Sequence, residues 1–544
     1  MDKRLLDKIE IIFLIDNLLI TQNAIVAGVI RKMHIIEDAW GCKPLLLVCN
    51  YNIELQRMNV MLRFDSQRPE QAPFGGSSRI LGVYNHFQRS YAPEAEETEY
   101  SRKLSDGESS VQKNNIYEIY KNNRHIRTEH YTGLFGRLRM VERLDGGKPV
   151  RRVFYDDAGC ISMIQRIDKD NPEFHPEESY YTTGKQLCIT AEYSYDPNGR
   201  DKNIIRKLTL FKEGRVFKEC ASNAELAACC LDDICGDPAK LYLIVDETGK
   251  LSPAPLAVTR RNVFRCAAVH GVFLTNVYRL SSPPHKYYAH LCEHRNEFDG
   301  IIFPAISERT DFIKKYPGFN PRKATVIPHP YAYPVRRADF EARDHKKAVI
   351  ITRYEEVKQI PHAISVFELV VRKVPNAVLE IYGFGQPAAE EKIDDRIRAL
   401  GLGNNVRKMG YAGYPIEILR SASAFLMTGV FEGTPLSLVE SICNGCPVFA
   451  YDIKYGPADA VIDRVTGFLV KRGDGASLAA RLIEYFQDIN LQRRMSDNCY
   501  KDADRFGVSR FLDKWGAFME NLYNRRRELM AKEISDENIA ASET

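Results

Sequence analysis

Two glutamates, Glu432 and Glu440, stand eight positions apart in the segment EGTPLSLVES. The residues between them predict the start of a helix. Thr434 suits the N-cap, where a side-chain oxygen accepts a backbone N–H, and Pro435 suits the first helical position, where proline's missing N–H is not needed. We therefore expect a helix that carries Glu440, with Glu432 just before its N-cap.

The first turn of this helix is suited to binding an anion. The backbone N–H groups of Leu436 and Ser437 have no partners inside the helix, and the positive end of the helix dipole lies behind them. Such donors suit a diphosphate. Helical side chains lean toward the N-terminus, so the Glu440 carboxylate could accept hydrogen bonds from the hydroxyls of a ribose. An ordinary capped helix with two solvated glutamates is the alternative that this segment leaves open.

Three other strand ends carry residues that suit the same ligand. Arg353 ends a predicted strand and Lys358 follows five residues later, so these cations either contact a diphosphate or form a solvated loop pair. Gly383 and Gly385 follow another strand in IYGFG, where backbone without a side chain lets a ligand approach closely. His270 ends the strand pattern VFRCAAVH, and we expect it either to contact the ligand or to be structural.

The second half of the chain alternates strand and helix patterns. From residue 347 onward, apolar strand patterns such as KAVIITR, NAVLEIYG, AFLMTG and CPVFAY alternate with stretches of helical period such as PHAISVFELVVRKV. The first half begins in the same way, with the strand patterns KIEIIFLI and PLLLVC around a predicted helix at 24–39. We predict an α/β fold with two Rossmann-like domains facing a cleft, where the carboxyl ends of the strands bind the ligand.

A different pattern interrupts the first half. Residues 64–115 are polar and predict loops or a mobile segment. Short β-branched and aromatic runs separated by the turns DDAG, PNG and KEG then predict a β-meander. We therefore expect five regions. These are 1–115 and 236–335 as two parts of an N-terminal Rossmann-like domain, 116–235 as a β-rich insertion, 336–505 as a C-terminal Rossmann-like domain, and 506–544 as a C-terminal helix and tail.

The composition excludes several classes of protein. Hydrophobic residues make up 44% of the 544 residues, too many for a disordered chain. Lys+Arg 76 against Asp+Glu 72 leave a net charge of +4, too small to favour nucleic acid as a partner. No apolar run reaches the ~20 residues that cross a bilayer, and the basic, apolar start lacks a cleavage site. Thirteen cysteines without a secretory signal predict free thiols in a reducing compartment.

Two motifs with the form of a metal site are interpreted as structural. Cys443 and Cys446 form an isolated CxxC that follows a helix, and such cysteines are usually small buried hydrophobes. Asp502 and Asp504 have the DxD form but lie far along the chain from the other site residues. Neither motif therefore predicts a metal ion.

The segments TRYEEVK, IYGFG and FEGTPLSLVES followed by NGCPVFAYD together resemble glycosyltransferase family 4, the retaining enzymes with the GT-B fold. The resemblance covers about 235–520 well and 8–50 weakly. With SERTDFIKKY, YDIKYGPADAVIDRVTGFLV and the β-rich insertion, the chain looks most like the poly(glycerol/ribitol-phosphate) α-glycosyltransferases of wall teichoic acid. The O-GlcNAc transferase of accessory Sec systems shares this architecture.

The resemblance implies a UDP-sugar donor, anomeric retention and no metal or other cofactor. It places the acceptor on the N-terminal domain and the nucleotide sugar on 336–505. Carried over by position, the cations and the helix N–H groups hold the diphosphate, Glu440 holds the ribose, and Glu432 and His270 orient the donor sugar. Glu432 and His270 are the implied catalytic residues. The implied substrate-binding residues are Arg353, Lys358, Gly383, Gly433, Thr434, Leu436, Ser437, Glu440 and Asn23.

Three positions depart from the family's pattern, and one of them is Pro435, which stands where glycine is common. The family often has a Gly-Gly turn after the first strand, where this chain has Asn23 and Ala24. The subgroup often has a second histidine three residues after the first, where this chain has Phe273. The difference at Asn23 and Ala24 changes the expected contacts with the acceptor.

The predicted function is transfer of glucose or N-acetylglucosamine from a UDP-sugar to a polyol-phosphate or related surface glycopolymer. Transfer to serine or threonine of a surface adhesin, and a companion subunit without catalysis, are the alternatives. The insertion is expected either to extend the acceptor groove or to form an oligomer interface. The expected location is the cytoplasm, and peripheral contact with the inner face of the membrane is left open.

Overall fold

The structure is a computed structural model, and it describes residues 6–18, 24–51, 79–88, 104–131, 137–156, 159–198, 202–413, 415–433 and 435–542. Contacts between residues divide the chain into two compact units, with the division between Arg265 and Cys266. Strands are numbered β1–β23 and helices α1–α14 along the described residues.

The first sheet has seven strands in the order β17-β16-β15-β14-β1-β2-β3. The pairs of β1 with β14 and β2, of β2 with β3, and of β16 with β15 and β17 are parallel. Strands such as IEIIFLI are apolar almost throughout, as expected where both faces of a parallel sheet are covered. The strands are β1 (Ile9–Ile15), β2 (Leu45–Val48), β3 (Arg79–Gly82), β14 (Leu241–Asp246), β15 (Val263–Ala268), β16 (Gly300–Phe303) and β17 (Ala324–Val326).

The second sheet is a ten-stranded antiparallel meander in which each strand pairs with the next along the chain. It lies between β3 and β14 in sequence, yet β1 pairs directly with β14, so the meander is inserted into the first sheet's chain path. The strands are β4 (Glu108–Lys113), β5 (Ile116–Lys121), β6 (Arg124–Tyr131), β7 (Leu138–Asp145), β8 (Lys148–Tyr155), β9 (Ile161–Arg166), β10 (Glu177–Tyr181), β11 (Leu187–Tyr195), β12 (Asn203–Lys212) and β13 (Arg215–Cys220).

The third sheet has six parallel strands in the order β20-β19-β18-β21-β22-β23. This order reverses at β18, as in doubly wound folds, and ligands of such sheets bind beyond the carboxyl ends of the strands at the reversal. The strands are β18 (Asp344–Ile351), β19 (Val378–Tyr382), β20 (Val406–Gly410), β21 (Ala422–Met427), β22 (Val448–Asp452) and β23 (Gly467–Lys471).

The helices connect the strands of the parallel sheets, and a long helix ends the described chain. They are α1 (Ala24–Trp40), α2 (Val83–Gln88), α3 (Asn223–Ile234), α4 (Pro253–Ala257), α5 (Ala289–Glu293), α6 (Ile306–Lys315), α7 (Ile360–Val371), α8 (Pro387–Ala399), α9 (Pro415–Ser421), α10 (Leu436–Cys443), α11 (Pro457–Ala460), α12 (Gly475–Gln487), α13 (Ile489–Asp502) and α14 (Val508–Ser542). Among the described residues, no helix is both long and apolar enough to cross a membrane.

The predicted α/β fold with parallel sheets and a β-rich insertion is confirmed. The prediction of loops over 64–115 is wrong in its described parts, which contain β3, α2 and β4. β4 has the sequence ESSVQK and is exposed along most of its length. It is an edge strand, so it lacks the apolar alternation that reveals a half-buried strand. The meander therefore begins at Glu108, eight residues before the predicted start of the insertion.

One face of the meander packs on the first sheet's helices and loops through tyrosines. The rings of Tyr84 and Tyr180 lie 4.7 Å apart, and the ring of Tyr51 lies 5.0 Å from that of Tyr180. The Tyr51 hydroxyl is 2.8 Å from the Ser162 hydroxyl, and the buried Gln88 amide donates to the Ser162 carbonyl. Contacting tyrosine rings and these hydrogen bonds thus attach the insertion to the α/β part of its unit.

Helix α10 is anchored at its C-terminal end. The buried guanidinium of Arg343 donates to the carbonyls of Leu419, Ala422 and Asn444, and Asn444 is the residue that follows the helix. A cation at this end is favoured by the helix dipole and satisfies carbonyls that the helix leaves without partners. The opposite end of α10 lies beyond the carboxyl end of β21.

Glu308, in the first turn of α6, is a fully buried carboxyl group. Burial raises the pKa of Glu308 well above its ordinary value, and Asp311 and Asp459 raise it further, against a backbone hydrogen bond from Phe273. Because the folded pKa exceeds the unfolded one, the folded state binds the proton more tightly. The stability that this proton gives is complete below the unfolded pKa and is lost as the pH rises toward the folded pKa.

We expect Glu308→Gln to remove this loss, because a neutral amide does not have to be ionised in the interior. The melting temperature of the variant relative to the wild type should increase from about pH 5 to about pH 8. The difference in their free energies of unfolding should grow by at most about 1.4 kcal/mol per pH unit. Scanning fluorimetry across pH measures it, and Glu293→Gln, at an exposed position, is the control. Parallel curves for wild type and Glu308→Gln would contradict the interpretation.

Candidate active site at the start of helix α10

Helix α10 begins one residue later than predicted. Its first residue is Leu436, and Pro435 is the N-cap, with ψ of 126° and no side-chain cap bond. The prediction that Pro435 occupies the first helical position is therefore wrong. An extended ψ is open to proline, whose ring fixes only φ. Thr434, the predicted N-cap, and Asn23 lie outside the described residues.

The N–H groups of Leu436 and Ser437 lie in the first turn of α10, as predicted. Glu440 lies in the second turn and is half-buried, and its carbonyl accepts hydrogen bonds from both the backbone and the side chain of Asn444. The roles of all three residues toward a ligand stay predictions.

Lys358 and Glu432 meet directly. The Lys358 Nζ lies 2.6 Å from Glu432 Oε1, and each side chain is only about an eighth exposed, at 15% and 12%. Lys358 ends the 3₁₀ turn Glu356–Lys358 that follows β18, and its carbonyl accepts a hydrogen bond from Thr428 in the loop after β21. The turn after β18 and the loop before α10 are thus joined by an ion pair shielded from solvent.

Arg353 does not share this arrangement. Its guanidinium is 2.5 Å from the Glu355 carboxylate and its side chain is 61% exposed. The sequence predicted that both cations would hold one diphosphate, and the structure brings Lys358 but not Arg353 into contact with the Glu432 loop. A contact of Arg353 with a ligand stays a prediction.

The backbone of His270 lies against the same loop. A Cβ atom at Gly433 would lie 2.5 Å from the His270 carbonyl oxygen, closer than such atoms approach in proteins. Glycine at this position therefore allows the chain beside Glu432 to contact the loop that follows β15. The two residues predicted to be catalytic, Glu432 and His270, are brought together by this contact.

Two residues that the sequence did not single out support His270. The hydroxyl of Tyr288 accepts the backbone N–H groups of His270 and Gly271, at 3.1 and 3.0 Å. The ring of His329 stacks on that of His270 with centroids 5.3 Å apart. His329 follows β17, just as His270 follows β15. Because both residues come after strands of one parallel sheet, the sequence pattern could have identified His329 as a neighbour of His270. Phe273, where the family often has its second histidine, is instead buried.

The glycines after β19 have a packing reason of their own. Gly383 has φ of 148°, and a Cβ there would lie 1.8 Å from the Thr352 carbonyl oxygen. A Cβ at Gly385 would lie 2.4 Å from the Tyr354 carbonyl oxygen. These glycines let the segment after β19 lie against the segment after β18, where the backbone N–H of Tyr354 donates to the carbonyl of Phe384. Approach of a ligand to Gly383 stays a prediction.

An exposed aromatic pair lies at the same edge of the third sheet. Tyr411 directly follows β20 and is 70% exposed, and Phe384 follows β19 and is 37% exposed. Their ring centroids are 5.9 Å apart. The sequence analysis missed both residues, although each follows a predicted strand. Large exposed rings at the ligand-binding edge of such a sheet are suited to stacking on a planar base.

The cysteine and acid motifs behave as structural groups. Cys443 and Cys446 are fully buried, and burial raises the pKa of their thiols to about 12 and about 11. Asp502 pairs with Arg505. Among the described residues, no three histidine, cysteine or acidic side chains are grouped as metal ligands. Independence of metal stays a prediction.

Known structures decide the fold. A Staphylococcus aureus TarM variant, crystallised in complex with fondaparinux, α-GlcNAc-glycerol and UDP, superposes with a TM-score of 0.75 at 17% identity, covering 94% of this chain and 99% of that one. The chain has the GT-B fold. Its residues 335–502 match the family model for glycosyl transferases group 1, so this GT-B protein contains a glycosyltransferase group 1 domain.

Two sequence relatives extend this likeness beyond the domain. The chain is 31% identical over 403 residues to the poly(glycerol-phosphate) alpha-glucosyltransferase of Bacillus subtilis, a match that covers 73% of this chain and 58% of the relative. It is 24% identical over 443 residues to the poly(ribitol-phosphate) alpha-N-acetylglucosaminyltransferase of Staphylococcus aureus, covering 75% of this chain and 86% of the relative. The match to the first relative thus spans less than two thirds of that protein.

Gly433→Ala tests the close approach in this GT-B protein. We expect it to lower the free energy of unfolding by about 1–3 kcal/mol, because the added methyl group displaces backbone rather than a flexible side chain. Thermal unfolding measures the effect. Gly403→Ala is the matched control, since a Cβ there meets nothing within 4 Å. Equal melting temperatures for the two variants would contradict the contact between Gly433 and His270.

Proposed function

We propose that the chain is a retaining hexosyltransferase that moves glucose or N-acetylglucosamine from a UDP-sugar to a polyol-phosphate or related surface glycopolymer, without a metal ion. The observation that carries this proposal is the joining of Lys358, Glu432 and the His270 backbone beside the start of α10, in a group 1 glycosyltransferase domain. The activities named for the two sequence relatives support the class of donor and acceptor.

The donor diphosphate is proposed to bind at the start of α10. The N–H groups of Leu436 and Ser437 and the helix dipole supply positive potential there. An ammonium group has three N–H donors, so Lys358 can hold Glu432 with one and donate to a phosphate oxygen with another. Charge that develops on the departing diphosphate would be stabilised by these fixed donors, each typically worth a few kcal/mol.

The remaining parts of the donor have their own contacts in the proposal. Glu440 accepts hydrogen bonds from the ribose hydroxyls, and Tyr411, with Phe384 beside it, stacks on the uracil. Glu432 accepts from a hydroxyl of the donor sugar, and His270 orients the sugar from the other side. The bond from the sugar's C1 to the diphosphate breaks as the acceptor oxygen attacks from the same face. The acceptor's proton passes to a phosphate oxygen of the departing UDP.

The location proposed for this reaction is the cytoplasm, where a peripheral association with the membrane's inner face would give access to a growing polymer. All thirteen cysteines of the chain are free thiols in the structure, which supports a reducing compartment.

Exchange of the Glu432 carboxylate for an amide tests the donor site. We expect Glu432→Gln to lower the rate of sugar transfer at least about a hundredfold, since a misplaced sugar loses the oriented geometry of the transition state. The affinity for UDP should change little, because UDP lacks the sugar. UDP release with UDP-glucose and UDP-GlcNAc measures the rate, and calorimetry measures the affinity. Glu391→Gln, at an exposed position on α8, is the control. A wild-type protein that neither binds UDP nor releases it from either donor would reject the proposed function.

An arginine row on the meander supports an anionic acceptor. Arg143 on β7 lies directly opposite Arg151 on β8, which lies directly opposite Arg166 on β9, so the three point to one face. All three are exposed, and Arg166 alone among them has an ion pair in the described structure, 3.5 Å from Glu177. Like charges placed directly opposite destabilise a sheet, and a phosphodiester chain that neutralises them would offset this.

A tyrosine lies near this row. Tyr155 is on β8, four residues beyond Arg151, and is paired with Ile161 of β9. Burial raises the pKa of Tyr155, and the nearby charges of Arg143 and Arg151 oppose that rise. The guanidinium groups of the row thus have a phenol near them, and both kinds of group can donate to phosphate oxygens.

The double variant Arg143→Gln with Arg151→Gln should raise the KM for poly(glycerol phosphate) about tenfold or more, since charge-assisted hydrogen bonds contribute about 1.5–3 kcal/mol each. The turnover number with a monomeric glycerol phosphate acceptor should be unchanged. Arg206→Gln with Arg215→Gln removes the same charge from exposed positions on β12 and β13 and is the control. A shift in molar mass by light scattering without a change in KM would assign the row to contact between copies of the chain instead.

A further inference from the structure

Asp311, on α6, accepts two hydrogen bonds from one short segment. Its Oδ2 lies 2.5 Å from the Lys454 Nζ and 3.1 Å from the Tyr455 hydroxyl. The Asp311 side chain is 10% exposed and that of Lys454 is 37% exposed, so the pair is partly shielded from solvent. A charge-assisted bond in such a place holds its partners more firmly than a surface pair does.

The segment that Asp311 holds is bonded in turn to Glu432. The N–H of Glu432 donates to the Lys454 carbonyl at 3.1 Å, and the N–H of Tyr455 donates to the Glu432 carbonyl at 2.7 Å. This pair of bonds fixes the backbone of Glu432 in both directions. Asp311 is therefore linked to the backbone of Glu432 through Lys454 and Tyr455. In the proposed function, the Glu432 carboxylate binds the donor sugar.

Further contacts orient the same segment. The Tyr455 ring is fully buried and stacks on Phe273, with centroids 6.5 Å apart and an interplanar angle of 17°. The hydroxyl of Tyr278 donates to the carbonyl of Val430, two residues before Glu432. The loop that contains Glu432 is therefore held from α6 and from the segment after β15, and not only from its own sheet.

We propose that Asp311 is a positioning residue for Glu432, acting through Lys454 and Tyr455. The inference rests on the proposed function, in which the Glu432 carboxylate orients the donor sugar. Loss of the Asp311 charge would release the Lys454 ammonium and the Tyr455 hydroxyl, and the Glu432 backbone would lose its fixed support. A displacement of about 1 Å at an orienting group can reduce a rate about a hundredfold. UDP itself makes no direct contact with Glu432 in this scheme.

Asp311→Asn keeps the size of the side chain and removes its charge. We expect kcat for sugar transfer to fall at least about tenfold, since the sugar is then oriented less well. The dissociation constant for UDP, measured by calorimetry, should stay within about twofold of the wild type. Hydrogen exchange of the backbone over residues 430–433 should become faster. An unchanged exchange rate, or a loss of UDP affinity equal to the loss of kcat, would overturn the proposal.

The contact between Ser307 and Asp459 supplies a matched control. The Ser307 hydroxyl donates to Asp459 Oδ2 at 2.5 Å, so this contact also holds the start of α6, to α11, but it does not touch residues 454–455. Asp459→Asn should lower the melting temperature without changing kcat or the exchange of residues 430–433. If Asp459→Asn reduces kcat as strongly as Asp311→Asn does, the role of Asp311 is structural and the proposal fails.

Variants of Lys454 and Tyr455 keep the test decisive if Asp311→Asn does not fold. Lys454→Arg retains the charge and should retain most of kcat, whereas Lys454→Met should lose it. Where Asp311→Asn does fold, the double variant Lys454→Met with Asp311→Asn should be no slower than the slower single variant, because both changes break the contact between Lys454 and Asp311. Tyr455→Phe removes only one bond to Asp311 and should give a smaller loss. Additive losses in the double variant would overturn the proposal, whereas an inactive wild type with the expected exchange pattern would reject only the proposed function.

Discussion

The close approach of Gly433 to the His270 carbonyl is the constraint on which the candidate site depends. No side-chain atom fits between these two segments. Because the segments touch, a residue after β15 and a residue after β21 can act on one ligand. The Lys358–Glu432 ion pair then adds the turn after β18 to the same place. The loops after β15, β18 and β21 are therefore in contact here. The glycine at 433 allows one of these contacts, and the shielded Lys358–Glu432 salt bridge makes the other.

The charged side chains around the candidate site form two groups, one at the Glu432 loop and one behind it on α6. Lys358 and Glu432 are paired, so their charges are compensated where they lie. Behind the Glu432 loop, Asp311 is compensated by Lys454, while Glu308 is fully buried and its raised pKa favours the neutral acid. Burial is the main physical reason for the raised pKa of Glu308, and the charges of Asp311 and Asp459 add to it. Asp311 thus bonds to the segment beside this loop with its charge compensated, and a neutral Glu308 adds no negative charge next to it.

Helix α10 combines a fixed end and an open end. Arg343 binds the carbonyl of Asn444, and Asn444 in turn donates to the hydroxyl of Tyr331 and to the Glu440 carbonyl. The C-terminal end of the helix is therefore rigid and satisfied. The N-terminal end has Pro435 as its cap, which offers no side-chain acceptor to the N–H groups of the first turn. The meander shows a similar division between a face that packs through Tyr84 and Tyr180 and a face that carries arginines.

The sequence by itself determined the parallel sheets, the insertion and three of the residues that meet in the structure. Apolar strands in regular alternation with helices have few other ways to bury their surfaces, and Lys358, Glu432 and His270 follow such strands. The start of α10 at Leu436 was harder to predict from the sequence, because proline suits both the N-cap and the first helical position. The edge strand β4 was missed because an exposed strand carries no alternation of apolar residues.

Only the tertiary structure decided which of the predicted residues meet. The spacing of Arg353 and Lys358 gave both the same expectation, yet one pairs with Glu355 and the other with Glu432. Tyr288, His329 and Asp311 support the site from positions 18, 59 and 41 residues beyond His270 along the chain, and no local pattern carries that information. Local patterns record which surfaces a segment must bury, whereas the partner of a polar side chain depends on how distant segments pack.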